Sequence, residues 1–353
     1  MTRWIVSIIA TLVLLVVLAA YGPGSLNAVK FEPTPPDPAL AALFDIPTVD
    51  PEIRESDLIG AEDIEPGPDG RLYAGLQDGR IMARDADGGW SEFAHTGGRP
   101  LGLGFGPDGT LFVADALRGL LRHGGGDDWE VWLAQEPEGP LVFTDDITVL
   151  ADGSVILSDA SKRYGYGNYM TSYLEGEATG VIYRVRGPDD FDVLADGLAF
   201  ANGVTHDPAT GLIYINETWA ARVWTLDPDT GAREPFLDGL PGYPDNMHFD
   251  PETGLLWIAM PSLRAADIEA LHPRPFLKRL IWRWIQVAGL PPLPPRPVMI
   301  LAVDRDGTPV HVIHGPDDQP YGATGMASWQ GRIWVGGLER ESVDAFAYPE
   351  TLP

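Results

Sequence analysis

The chain has 353 residues, of which 44% are hydrophobic and 11 are Trp, so it can bury one large core or two ordinary ones. Its formal net charge of −27 argues against nucleic-acid binding, because such a surface repels phosphate backbones. The chain has no Cys, which excludes disulfides, thiolate catalysis and zinc–thiolate sites.

The first apolar segment, Trp4 to Ala20, has no charged residue and follows Arg3. It is short for a membrane span and slightly long for the core of a cleaved signal peptide, so both alternatives stay open. We favour a signal anchor over residues 1–21, which places the rest of the chain on the periplasmic, extracellular or lumenal side. Residues 22–50 are rich in Pro and are expected to form an extended linker.

Six segments share one pattern, in which a turn ending in Gly is followed by a short run of aliphatic and aromatic residues. This pattern is typical of a tight turn leading into a β-strand. The turn glycines are Gly70, Gly109, Gly153, Gly211, Gly254 and Gly331. A repeat of about 40–50 residues in an all-β chain is typical of a β-propeller.

We therefore predict an all-β fold, a six-bladed β-propeller over residues 51–350, rather than an irregular β-sandwich with similar turns. The two longest intervals between turn glycines predict insertions. One insertion covers 161–180. The other covers 262–297 in the region of blades 5 and 6, and it is expected to be helical.

Polar side chains recur at one position of the repeat, eight or nine residues before the turn glycine. We call them the ring residues: Glu62, Asp145, Asn202 and Asp245, with Asn246 beside Asp245. The other two repeats have Leu101 and Ala323 at this position. In a propeller the position is the start of the innermost strand, where the blades converge on the axis.

Carboxylates and amides that crowd around an axis are costly to bury unless a cation compensates them. Oxygen ligands without His or Cys select Ca²⁺, or less readily Mg²⁺. The ring residues therefore predict a Ca²⁺ site. The alternative is that each of them caps a strand or bonds a turn, as Asp and Asn often do.

Several motifs resemble a known superfamily of calcium-dependent six-bladed propellers, which includes SMP-30/gluconolactonase, paraoxonases and strictosidine synthases. Similarity is greatest to the strictosidine synthase-like and adipocyte plasma membrane-associated proteins. The motifs are "RPLGLGF", "LFVADALRGLL", "FANGV", "LPGYPDNM", "LEGEATGVIYRV" and "RPFLKRLIWRW". The resemblance covers about 50–345.

The resemblance implies that Glu62, Asp145, Asn202 and Asp245 bind the metal, and the paraoxonases imply the same for Asn246. Asp145 is a departure, because relatives usually have Asn there. Paraoxonases have a His where this chain has Leu101. Strictosidine synthases use a blade-6 Glu where this chain has Thr324 or Gly325, and neither residue can replace a Glu.

These features favour a calcium-dependent hydrolase of lactones or esters, similar to gluconolactonase or arylesterase, that acts on a small-molecule substrate. Asp145 or Asp245 would activate water as a base or attack as a nucleophile. One alternative is a non-catalytic, membrane-tethered calcium-binding propeller. Another is an amine–aldehyde condensing enzyme of the strictosidine synthase type, which the missing blade-6 Glu disfavours.

The seven His residues do not suggest a catalytic base. His248 and His206 are expected to pack in the core, because strand alternation turns His248 away from the face that carries Asp245. The other five, in turns or outer strands, are expected at the surface: His95, His123, His272, His311 and His314.

The segment Arg274 to Val287 has apolar residues at helical spacing, with Lys278, Arg279 and Arg283 on another side. A helix over 276–287 is expected, starting after Pro275. A basic amphipathic helix with Trp suits an anionic membrane surface. The alternative is a lid packed on the blades, which would bury the Trp residues.

Overall fold

Six four-stranded antiparallel sheets surround one axis, which confirms the predicted all-β, six-bladed propeller. The computed structural model describes residues 2–126, 128–289, 296–319 and 322–352, although not the side chains of Thr2 and Arg3. One further pair of short strands, Gln135–Glu136 and Gly139–Pro140, lies between blades 2 and 3.

The first three blades are each made of four consecutive strands, which follow one another from the axis outwards. Blade 1 contains Ile64–Pro66, Leu72–Gly75, Arg80–Arg84 and Trp90–His95. Blade 2 contains Pro100–Phe105, Leu111–Asp115, Gly119–Gly125 and Asp128–Leu133. Blade 3 contains Thr144–Val149, Val155–Asp159, Gly180–Gly187 and Asp190–Leu198.

The last blade closes the ring with a strand from the start of the propeller. Blade 4 contains Ala201–His206, Ile213–Glu217, Arg222–Leu226 and Arg233–Asp238. Blade 5 contains Met247–Asp250, Leu255–Ala259, Met299–Val303 and Pro309–His314. Blade 6 contains Met326–Trp329, Arg332–Val335, Ser342–Ala347 and, as its outermost strand, Ile53–Ser56. Pairing of Ile53 with Ala345 therefore joins the two ends of the propeller.

The turn glycines mark the link between the first and second strand of every blade. All six have φ between 71° and 84°, a region that favours Gly because it has no Cβ. Antiparallel order then fixes the ends of the propeller. Inner strands begin, and second strands connect to third strands, at what we call the ring end. The turn glycines lie at the opposite end, the turn end.

Both insertions join a second strand to a third strand, so both emerge at the ring end. Helix α3 (Met170–Glu175) lies in the blade 3 insertion. Helices α4 (Ala266–Glu269) and α5 (Pro275–Ala288) lie in the blade 5 insertion, and α5 begins with Pro as expected. Residues 290–295 of the second insertion lie outside the described residues.

Helix α1 (Thr2–Tyr21) precedes the propeller. Its Trp4–Tyr21 stretch is long and apolar enough to cross a membrane and is almost entirely exposed. An N-terminal signal sequence has the same properties, so α1 is a candidate for either role.

Residues 22–50, which we call the strap, are largely extended as their prolines predict, apart from the short helix α2 (Pro38–Ala42). They lie against the propeller instead of standing free of it. The backbone N–H of Val29 donates to the Glu175 carbonyl at 3.0 Å. Those of Asp37 and Val49 donate to the Gly239 and His314 carbonyls, each at 2.8 Å. Leu26, Leu40 and Phe44 are buried, so hydrophobic packing adds to these bonds.

Candidate metal centre

The ring residues lie together at the ring end of the axis, although they are far apart in sequence. Asp145 and Asn202 belong to inner strands, while Glu62, Asp245 and Asn246 lie just before inner strands. Glu62, Asp145, Asn202 and Asp245 line one cavity. Asn246 Nδ2 donates to Glu62 Oε2 at 3.0 Å. The predicted convergence is therefore present, and metal binding itself stays a prediction.

Three oxygens of the ring residues are buried without any hydrogen-bond partner: Asp145 Oδ2, Asn202 Oδ1 and Asn246 Oδ1. An unsatisfied buried polar group costs about 1–3 kcal/mol, so three such atoms among the ring residues need an explanation. Carboxylate and amide oxygens are the ligands that Ca²⁺ prefers. The donor set therefore fits Ca²⁺.

The amides are an essential part of this donor set. Among the residues that the structure describes, no three His, Asp or Glu side chains converge tightly enough to hold a metal ion on their own. Coordination by carboxylates alone is thus not supported. The oxygens of Asn202 and Asn246 would have to complete the coordination shell.

The carboxylates of the ring residues are buried and repel one another when ionised. Burial, then the charges of Asp245 and Asp63, raise the pKa of Glu62 well above its usual value. Burial, then the charges of Glu62 and Asp245, raise the pKa of Asp145 in the same way. Burial raises the pKa of Asp245 to about 7, although a hydrogen bond with Asn202 opposes the shift. A bound cation would favour the ionised forms.

Blade 6 has no ring residue of its own and instead positions those of its neighbours. The Thr324 carbonyl accepts a 2.9 Å bond from the backbone N–H of Asn246. The Thr324 hydroxyl donates to the Glu62 carbonyl at 3.0 Å. In blade 4, Asn216 Nδ2 donates to the Asp245 carbonyl. These bonds fix the backbone on which Glu62, Asp245 and Asn246 stand.

Two glycines allow the inner strands to approach this closely. A Cβ at Gly203 would lie 2.5 Å from the Asp245 carbonyl oxygen and 2.7 Å from Asn246 Cα. A Cβ at Gly325 would lie 2.3 Å from the Glu62 carbonyl oxygen. Both contacts are with backbone, which cannot rotate away, so any larger residue would displace a ring residue.

A second pair of acids, Asp63 and Asp146, was missed by the sequence reasoning. Asp63 Oδ2 accepts from Leu103 N at 2.9 Å, which joins blade 1 to blade 2. Asp146 Oδ2 accepts from Val204 N at 2.7 Å, which joins blade 3 to blade 4. The available signal was that each acid directly follows a ring residue. Burial raises the pKa of Asp63 to about 7.

A cavity of about 410 Å³ adjoins the ring residues at the ring end. Its wall is largely apolar and includes six aromatic residues, Phe143, Tyr169, Tyr173, Phe200, Trp219 and Tyr243. Leu101, at the ring position of blade 2, is fully buried and packs in the same aromatic cluster. Blade 2 therefore supports an apolar wall and supplies no metal ligand. The cavity suits an apolar or aromatic ligand that carries one polar group.

Hydrogen bonds tie the two insertions together beside this cavity. The hydroxyls of Tyr173, on α3, and Tyr243 are bonded to each other. Tyr243 also donates to Glu269 Oε1, on α4, at 2.9 Å. Arg264 holds the same carboxylate at 2.7 Å. The cavity is thereby bounded by both insertions.

The expected core positions of His206 and His248 are wrong. Both are partly exposed and line a cavity of about 680 Å³ at the turn end of the channel. His248 Nδ1 lies 3.6 Å from Glu65 Oε2. Strand alternation does not extend back to Asp245, because the regular inner strand of blade 5 begins only at Met247.

In blades 3 and 4 the alternation is interrupted at the ring residues themselves. The pairing register shifts between Thr144 and Ile147 and between Ala201 and Val204. Such irregularities redirect side chains.

The expected surface positions of His272 and His311 are also wrong, since both are buried.

The family model described as the SMP-30/Gluconolactonase/LRE-like region matches residues 64–274. Among curated proteins, STRICTOSIDINE SYNTHASE-LIKE 4 of Arabidopsis thaliana is 32% identical over 313 residues, covering 83% of this chain and 82% of the relative. The adipocyte plasma membrane-associated protein of Homo sapiens is 30% identical over 292 residues, covering 74% and 69%.

Among solved structures, a calcium-binding protein, regucalcin, from Agrobacterium tumefaciens superposes with a TM-score of 0.57. It is 17% identical in sequence, and the match covers 87% of this chain and 99% of that one. The structural likeness agrees with the fold described above. The family match and the two curated relatives confirm the resemblance seen in the sequence: the chain belongs to the SMP-30/gluconolactonase/LRE-like family.

Proposed function

We propose that the protein is a calcium-dependent hydrolase of lactones or esters, in which Glu62, Asp145, Asn202, Asp245 and Asn246 hold the ion. The observation that carries the proposal is the set of unpartnered buried oxygens beside an aromatic cavity. The family description includes gluconolactonase. The solved relative regucalcin is described as calcium-binding.

Bound Ca²⁺ would supply Lewis-acid polarisation of a substrate carbonyl and electrostatic stabilisation of the developing oxyanion. The chain itself would supply the base. Asp145 and Asp245 both line the cavity, and either could remove a proton from water or attack the carbonyl as a nucleophile. The aromatic wall would bind the apolar part of the substrate and exclude water from the reacting carbonyl.

A non-catalytic calcium-binding propeller is the second candidate function, and one observation favours it. Leu101 and Ala323, at the ring positions of blades 2 and 6, are fully buried and apolar. Blades 2 and 6 therefore supply no acid or base at the ring position. Condensation of an amine with an aldehyde is disfavoured, because the position of the blade-6 Glu is occupied by Thr324 or Gly325. The Thr324 hydroxyl already donates a hydrogen bond to the Glu62 carbonyl.

We also propose that α1 stays in the chain as a membrane anchor, with the propeller on the periplasmic, extracellular or lumenal side. Arg3 precedes the apolar stretch, and positive charge is retained on the cytoplasmic side. Mass spectrometry of the mature N-terminus tests this directly, because an anchored chain keeps residues 1–21.

The test of function is a panel of lactones and aryl esters assayed with the full chain, with Ca²⁺ and with EGTA. Hydrolysis of at least one class that EGTA abolishes and Ca²⁺ restores is the expected result. Asp245→Asn should remove the activity, while Asp229→Asn, in an exposed turn at the other end, should not. Calcium binding without hydrolysis of any compound would favour the non-catalytic candidate.

A further inference from the structure

Helix α5 exposes an apolar stripe. Four of its members, Phe276, Leu277, Trp284 and Val287, are 39%, 39%, 65% and 89% exposed, and the half-buried Leu280 lies between them. At 3.6 residues per turn these five positions share one face of the helix. We call this face the α5 stripe. An exposed apolar face on a helix marks a surface that is covered in the functional state.

The cations of α5 lie outside the stripe and already donate hydrogen bonds within the protein. Lys278 is on the opposite side of the helix, while Arg279 and Arg283 lie along one flank of the stripe. Lys278 Nζ donates to the Val29 carbonyl at 2.6 Å, Arg279 Nη2 to that of Ala28 at 2.9 Å, and Arg283 Nε to that of Ala19 at 2.9 Å. The basic face of the helix therefore holds the strap and the end of α1. These bonds go to neutral carbonyls, so they occupy the donors of the three cations and leave the positive charges in place.

The same contacts place α5 at the last turn of α1. Arg283 also donates to the Gly22 carbonyl at 2.9 Å, and the rings of Tyr21 and Phe276 lie 6.3 Å apart. Helix α1 has 20 residues, which at 1.5 Å per residue span about 30 Å, the thickness of a bilayer core. If α1 crosses the bilayer, its last turn lies at the membrane surface, and so does α5.

The two ends of the propeller differ in polarity. Exposed Leu117, Met170 and Leu263 lie on connections between second and third strands, at the ring end. The turn end exposes acidic residues such as Asp69 and Asp108. Within the described residues, no large apolar side chain is exposed in the six turns that hold the turn glycines.

We infer that the α5 stripe lies in the interfacial layer of the bilayer that α1 enters, and that the aromatic cavity opens towards the lipid. The contact between α5 and the end of α1 favours a bilayer over a second copy of the chain. Exposed Trp284 suits the interface, where Trp is enriched. The apolar stripe is expected to carry the membrane contact, because the donors of the α5 cations are bonded to carbonyls of the strap and of α1. Resting on the proposed function, the inference further assigns lipid-dissolved esters or lactones as the substrate class.

The absence of native Cys allows single labels on the full chain. Val287→Cys and Trp284→Cys would each carry an NBD fluorophore, with the chain in phosphatidylcholine nanodiscs. Exposed Ala209→Cys, in a turn at the turn end, is the control. Doxyl-labelled lipid is expected to quench the labels at 287 and 284, with blue-shifted emission, and to leave the label at 209 unchanged.

Unquenched labels at both α5 positions would overturn the inference. Cross-linking of two chains of the Val287→Cys variant through the introduced thiols, without quenching, would assign the stripe to a second copy instead. Quenching should already be present in phosphatidylcholine alone, and quenching that required phosphatidylserine would contradict apolar binding.

Substrate delivery needs its own comparison. Val287→Asp should lower hydrolysis of a long-chain ester dissolved in the nanodisc but not of a short water-soluble ester. Equal activity of variant and parent on the long-chain ester would overturn delivery from lipid. If neither ester is hydrolysed by the parent, the proposed hydrolase fails, while the quenching result still decides the surface.

Discussion

Glu62 and Asn246 are 184 positions apart in sequence, yet Asn246 Nδ2 donates a 3.0 Å hydrogen bond to Glu62 Oε2. The bond connects blades 1 and 5, which lie on either side of blade 6. It leaves Oδ1 of Asn246 buried and without a partner. One end of the amide thus holds a carboxylate in place, while the other end is free to bind a cation.

Asn202→Ala is expected to remove the stabilisation that Ca²⁺ gives the parent. A ligand present at 100 times its Kd stabilises the native state by about 2.7 kcal/mol, which appears as a rise in Tm. Asn202 Oδ1 has no protein partner to lose, but the Asn202 side chain also hydrogen-bonds Asp245, so without Ca²⁺ the variant should melt only somewhat below the parent. Melting of the full chain in Ca²⁺ and in EGTA measures both effects.

The matched control for this variant is Asn168→Ala, an exposed Asn in the blade 3 insertion. It should keep the full response to Ca²⁺. A variant at Asn202 that still gains as much Tm from Ca²⁺ as the parent would remove Asn202 from the proposed coordination shell.

Gly203→Ala is expected to displace the ring residues, although it changes none of their side chains. The new Cβ would lie 2.5 Å from the carbonyl oxygen of Asp245, so the inner strand of blade 5 must move. The expected result is a weaker Ca²⁺ response by calorimetry and a lower Tm. Gly187→Ala is the control, since its Cβ would meet nothing within 4 Å. An unchanged calcium affinity in Gly203→Ala would show that the site tolerates this movement.

The repeat in the sequence was enough to predict the propeller and the convergence of its ring residues. All six blades are built alike, so residues at the same position of the repeat occupy equivalent positions in their blades, at the same end of the axis. Glu62, Asp145, Asn202 and Asp245 could therefore be superimposed by counting from the turn glycine.

Side-chain directions predicted from strand alternation were wrong where the backbone departs from regular strand pairing. His248 faces the channel because the inner strand of blade 5 begins only after the ring residues. Contacts between distant segments were also out of reach. Proline content indicated an extended strap, but nothing in the sequence showed that Arg279 and Arg283 would bind its carbonyls. Such contacts depend on the tertiary position of α5.

Asp146→Ala is expected to weaken the junction of blades 3 and 4. The substitution leaves the backbone N–H of Val204 without its 2.7 Å acceptor. A buried donor without a partner costs about 1–3 kcal/mol, and the Tm should fall in proportion. Asp229→Ala, in an exposed turn, should melt like the parent. If urea unfolding gives the two variants the same free energy, the Asp146 carboxylate contributes nothing to this junction.

His272→Phe is expected to reduce the loss of stability in acid. His272 is buried against the rings of Phe31 and Tyr173, and neither ring nitrogen has a partner. Burial, with a smaller effect of Lys278, lowers the pKa of His272 from 6.5 to about 4. Between these values the unfolded chain binds more protons than the folded chain. The stability that neutral His272 contributes is therefore present above pH 6.5 and lost as the pH falls towards 4.

A shift of this size corresponds to a contribution on the order of 2–3 kcal/mol, which Phe removes because it cannot be protonated. The carboxylates of the ring residues act with the opposite sign over the same range, since their pKa values are raised. The quantity to compare is therefore the difference in Tm between variant and parent from pH 7 to pH 4. That difference should grow in favour of His272→Phe as the pH falls. Parallel curves for His272→Phe and the parent would contradict the prediction.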